Sequence, residues 1–162
     1  MTEKFDLNKL KELYAPLQVK YNLPEFSKLN EEFGVEKAAD EETEFVLREI
    51  RKYVADKFLD YFRFIESILN PVNTPSIFIF SLTKTLSTKD REKIVEIYKK
   101  MAKVELNLME LDVEYSEEKE AEFIKESYTL WQDIKKDIKT VIDVIKKNWD
   151  NKLEENNKGY FG

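Results

Sequence analysis

Three long stretches of this chain repeat apolar residues at spacings of three and four, and that periodicity constrains the fold more than any other feature. Between residues 41 and 69 the series is Leu47, Ile50, Val54, Phe58, Tyr61, Ile65 and Ile68, widened by Val46, Phe62 and Leu69. Between 88 and 112 it is Ile94, Ile97, Met101, Val104, Leu108 and Leu111. Between 117 and 152 it is Ile124, Tyr128, Trp131, Ile134, Ile138, Val141, Ile145 and Trp149. An α-helix turns once per 3.6 residues, so each series lines one side of a helix and has to be covered by another element. The chain holds only 3 Gly and 4 Pro, too few for the many tight turns of an all-β fold.

Local signals place the boundaries. Asp6 can cap a helix over 7–20 that carries Leu7, Leu10, Leu13 and Tyr14, with Pro16 interrupting or kinking it. Pro24 opens a short helix over 25–33, and Gly34 is placed to end it. Asp40 is read as the cap of the first long helix, which Asn70-Pro71 stops. Thr74-Pro75 pairs a capping residue with a proline at the first helical position. The apolar run that follows has the alternation Ile77/Ile79 and Phe78/Phe80, which a strand would also show, but the cap, the short length and the lack of a partner strand favour a helix over 75–86. Ser87 and Asp90 fit a capping box with Asp in place of Glu, and Ser116 followed by Glu117 and Glu118 opens the last helix. The expected architecture is an all-α, up-and-down helical bundle: a single helical domain over 1–153, then a mobile tail over 154–162 that contains Tyr160 and Phe161.

Composition removes whole classes of chemistry. With no His and no Cys, the chain cannot form a Ser-His-Asp triad, a cysteine nucleophile, a zinc cluster or a histidine-bearing di-iron site. Its Gly residues are isolated, which excludes Gly-rich phosphate loops and the dinucleotide fingerprint. The net charge of −6 opposes both nucleic-acid backbones and anionic membrane surfaces, and no run approaches the roughly 20 apolar residues of a membrane span. No cofactor, no nucleic acid and no membrane is expected, and the expected setting is cytoplasmic.

Four groups of residues are candidates for function. Asp40, Glu41 and Glu44 belong to an acidic pentad, Asp40-Glu41-Glu42-Thr43-Glu44, in which a helix would set Glu41 and Glu44 on one face able to hold Mg²⁺. The pentad resembles the acidic clusters of the all-α nucleotide pyrophosphohydrolases, and that resemblance implies a Mg²⁺-dependent carboxylate enzyme. It stops at the pentad, because the second paired acidic motif of those enzymes does not occur at a suitable spacing. The plainer reading is an acidic first helical turn. Glu117, Glu118, Glu120 and Glu122 have the same two readings. Arg48 and Arg51 stand out in a chain whose other Arg residues are only Arg63 and Arg91. Their planar guanidinium groups suit either a phosphate or carboxylate ligand, or a structural ion pair with a residue such as Glu44 or Glu120. Ile77, Phe78, Ile79 and Phe80 are apolar on nearly every side of one short helix, so they are core or else a docking surface for a protein partner or a second copy. The expected function is a non-catalytic helical protein-interaction or assembly module, acting with a protein partner or as a homodimer. The Mg²⁺-dependent enzyme is the alternative.

Overall fold

A computed structural model describes residues 6–41, 43–71 and 77–159, with side chains described as far as Glu154. These residues form helices and no strand: α1 (Leu7–Tyr21), α2 (Phe26–Phe33), a 3₁₀ helix (Val35–Asp40), α3 (Val46–Leu69), α4 (Ile77–Thr83), α5 (Thr88–Val113) and α6 (Glu117–Gly159). The all-α bundle with three long helices is the one the periodicity predicts. Thr74-Pro75, Tyr160 and Phe161 lie outside the described residues.

The helix ends follow short-range chemistry. Asp6 accepts the Asn8 N–H at 3.3 Å and caps α1. Asn22 (φ 53°) and Gly34 (φ 64°) adopt the left-handed conformation that closes α1 and α2. Pro16 sits inside α1. Both Pro16 and Glu12, whose carbonyl loses its helical donor, are exposed, so water can satisfy that carbonyl. Ser87 and Asp90 form the capping box: the Asp90 N–H donates to Ser87 Oγ at 3.1 Å, and the Ser87 N–H donates to Asp90 Oδ2 at 3.0 Å. Ser116 Oγ accepts the Lys119 N–H at 3.3 Å and opens α6.

Three boundaries differ from the sequence expectation, the first being α4, which ends at Thr83 and not at Leu86. Asp40 does not cap the first long helix, which begins at Val46 rather than Glu41. Val35, Ala38 and Ala39 are buried, and burying them winds 35–40 into the 3₁₀ helix. The backbone is extended at Glu41 (φ −107°, ψ 117°). Thr43 Oγ1 then accepts the Phe45 N–H at 2.9 Å, and the Phe45 carbonyl takes the first helical bond, from the Glu49 N–H at 3.2 Å. At the other end of the chain, α6 continues to Gly159, past the expected end near 152.

The chain divides into two compact units, Met1–Asp60 with Ala102–Trp131, and Tyr61–Met101 with Gln132–Gly162. In the first, α1, α2 and the 3₁₀ helix accompany segments of the three long helices. Arg51 and Phe58 of α3 meet Glu120 and Trp131 of α6 in the same order, so these two segments run parallel. Lys119 of α6 returns to Glu110 of α5 at 2.9 Å, which makes α5 and α6 an antiparallel hairpin there. The core holds Leu10, Tyr14, Leu29, Leu47, Ile50, Val54, Phe58, Val104, Leu111, Ile124 and Trp131. Trp131 lies 5.8 Å from the Phe58 ring and 6.2 Å from Phe33, and its indole N–H donates to Glu32 Oε2 at 2.7 Å. The Tyr14 hydroxyl donates to the Pro24 carbonyl at 2.7 Å, and burial pushes that phenol well above its ordinary range.

In the second unit, Phe62 of α3 stacks on Tyr98 of α5 with ring centres 5.0 Å apart. Lys100 pairs with Asp133 at 2.8 Å and Lys93 with Asp137 at 3.0 Å, so α5 and α6 run antiparallel here too. Ile65, Ile68, Leu82, Ile94, Ile97, Met101, Ile134, Ile138 and Val141 form the core. Among the described residues no helix is long and apolar enough to cross a membrane.

Candidate functional site

The second unit presents the short apolar helix α4. Its sequence, Ile77 to Thr83, places apolar side chains around almost the whole circumference, and a seven-residue helix cannot bury all of them against one neighbour. Leu82 and Thr83 take the buried side. Ile77 is 83% exposed, Phe78 52% and Phe80 44%, while Ile79 is half-buried. The C-terminal end of this helix and the turn after it are tied down by side chains of α5 and α6. Arg91 Nη2 donates to the Thr83 carbonyl at 2.6 Å, and Asn148 Nδ2 donates to the Thr85 carbonyl at 3.0 Å. Phe78 meets Trp149 edge to face, ring centres 5.3 Å apart. The Lys84 ammonium stands 4.3 Å from the Phe80 ring centre, so one aromatic face is already engaged by a cation. The result is a fixed platform whose outward groups are aliphatic and aromatic, with Lys84 at its edge.

Arg48 and Arg51, in the first unit, come together around Glu120. The Arg51 guanidinium donates from Nε to Glu120 Oε2 at 2.9 Å and from Nη2 to Oε1 at 3.4 Å, and Nη1 reaches Asp112 at 3.1 Å. Glu120 has no accessible surface, and Arg51 is buried with it. Arg48 lies 4.0 Å from Glu120, its guanidinium packed against Phe45 and Tyr115 at 5.1 and 4.5 Å from their ring centres, and the two rings meet edge to face 5.0 Å apart. Burial, followed by the negative charges of Glu117 and Glu120, pushes the Tyr115 phenol up. The fork that would grip a phosphate is engaged by Glu120, so this cluster is an internal ion pair joining α3 to α6.

Asp40, the last residue of the 3₁₀ helix, and Glu41 and Glu44, on the non-helical chain before α3, are exposed, and Glu42 lies outside the described residues. Among the described residues, no three acidic side chains gather around a point where a metal ion could sit. Glu117 at the start of α6 points elsewhere. It accepts from the Tyr21 hydroxyl at 2.8 Å and from Lys20 at 3.1 Å, and these two bonds hold its carboxyl below the ordinary glutamate range.

One surface escaped the sequence reading. On α5, Leu106, Met109 and Val113 are each more than half exposed. At about 100° per residue they fall within about 60° of one another, on the side of the helix opposite buried Val104 and Leu111. The spacing i, i+3, i+7 was the available signal. It was hidden because the stronger core series, through Val104, Leu108 and Leu111, runs along the same stretch of helix.

No protein-family model, curated protein or solved structure matches the chain.

Proposed function

We propose that the protein is a non-catalytic interaction or assembly module that docks a protein partner, or a second copy of itself, on α4. One observation carries the reading: Ile77, Phe78 and Phe80 hold large apolar surface in water on a helix anchored at its C-terminal end. A mobile segment could turn such groups inward, but the bonds from Arg91 and Asn148 hold this end in place. Each aromatic or branched side chain removed from water on docking contributes about 1.5–3 kcal/mol, enough for a few residues to dominate an interface. The overall charge of −6 favours a partner with an apolar or basic surface over a nucleic acid.

Ile77 and Phe80 are the best probes, because Phe78 also supports Trp149. The test compares wild type with an Ile77→Ser/Phe80→Ser variant in affinity capture from native extract, with melting temperature as the control. The expected result is a variant of unchanged stability that loses proteins retained by the wild type, or loses self-association. An identical set of bound proteins and an identical association state would overturn the reading.

A further inference from the structure

We propose that the outer face of α5 is a self-association surface that pairs antiparallel with the same face of a second copy. The face belongs to the first unit, does not involve α4, and stands or falls independently of the docking reading above. Ala102, Leu106, Met109 and Val113 follow the spacing four, three, four, which is the a/d seam of a two-helix coiled coil. Leu106, Met109 and Val113 are exposed, and Ala102 is half-buried at the end of the row.

The flanking charges identify the occupant. In this register Lys103 and Glu110 take the e positions, and Glu105 and Asp112 the g positions. An antiparallel two-fold that sets Leu106 against Met109 of the second copy, and Ala102 against its Val113, brings e opposite e. Lys103 then faces Glu110 of the second copy, and the two-fold repeats the pair. Lys103 makes no ion pair among the described residues. Glu110 gives Oε1 to Lys119 at 2.9 Å, which leaves Oε2 for an incoming lysine. On the other flank Glu105 approaches Asp112 of the second copy, whose charge is already matched by Arg51 at 3.1 Å. A parallel pairing would instead set Glu105 against Glu110 and leave Lys103 without a carboxylate. The charges therefore select the antiparallel self-pair over the parallel one. Its contact is short, so the dimer sits at the weak, concentration-dependent end of the scale.

Sedimentation over a concentration series tests this, with far-UV spectra and melting temperatures as controls for folding. Wild type is expected to rise from the 19.4 kDa monomer toward twice that mass. Leu106→Glu is expected to remain monomeric, and Lys103→Glu to weaken association by about tenfold or more through like-charge contacts. The double reversal Lys103→Glu/Glu110→Lys is expected to restore it. A wild type that stays monomeric throughout, leaving the face for a different chain, overturns the proposal. So does a dimer that survives Leu106→Glu, or a double reversal that fails to restore association. If Ile77→Ser/Phe80→Ser dissolves the dimer while Leu106→Glu does not, the α5 proposal falls and the α4 reading stands.

Discussion

Replacing Arg51 with Met should destabilise the protein by about 3 kcal/mol, and adding Glu120→Leu should recover most of that loss. Glu120 has no accessible surface, and Arg51 supplies its two direct hydrogen bonds, at 2.9 and 3.4 Å. Removing one partner of a buried pair costs about 3–5 kcal/mol, because the remaining charge is desolvated without compensation. Two features place this case at the lower end. Arg48 stays 4.0 Å away, and Glu120 lies in the first turn of α6, where the helix dipole favours a carboxylate by about 0.3–1 kcal/mol. The freed Asp112 adds little, because it is largely exposed. In the double variant both charges are gone and apolar groups of similar volume fill the space, a change that is neutral or stabilising in comparable cases. Urea unfolding of the four members of the cycle measures the coupling, expected to be at least about 2 kcal/mol. A loss below about 1 kcal/mol for Arg51→Met, or a double variant as unstable as the sum of the singles, would refute a buried, coupled pair.

Trp131→Ala should cost about 3–5 kcal/mol, since it empties the space against Phe33 and Phe58 and leaves Glu32 without the indole donor; a loss under about 1 kcal/mol in denaturant titration would contradict this burial. Ser87→Ala removes the cap of α5 and should cost about 1 kcal/mol, with no change expected in association state; an unchanged unfolding midpoint would show the capping box to be idle. Glu117 is held low first by Tyr21 and then by Lys20, so the unfolded chain takes up its proton at a higher pH than the folded one. Its stabilising contribution is complete above the unfolded value of about 4.3 and is lost as pH falls through the lower folded value. Melting temperature should therefore fall more steeply between about pH 5 and pH 3 in wild type than in Glu117→Gln, and parallel curves would exclude the effect.

Much of the architecture was legible because its determinants are local. The three apolar series, the Ser87/Asp90 capping box, the left-handed closure at Gly34 and the stop at Asn70-Pro71 each depend on residues within a turn or two of one another, where hydrogen bonding and 3.6-residue periodicity act directly. The start of α3 was not legible, because Asp40 is a good cap in isolation. What displaced it was the burial of Val35, Ala38 and Ala39, which sequence spacing does not register. The partner of Arg51 is 69 residues away in the chain, and only the alignment of α3 beside α6 chooses Glu120 over the nearer Glu44. The apolar run at 77–80 announced its composition, but how far Ile77 and Phe80 stand in water depends on where Leu82, Arg91 and Asn148 fix the helix. Leu106, Met109 and Val113 carried a readable spacing as well. Which of the two apolar sides of α5 faces inward is decided by packing, because a helix with apolar residues on opposite sides can bury only the side its neighbours reach.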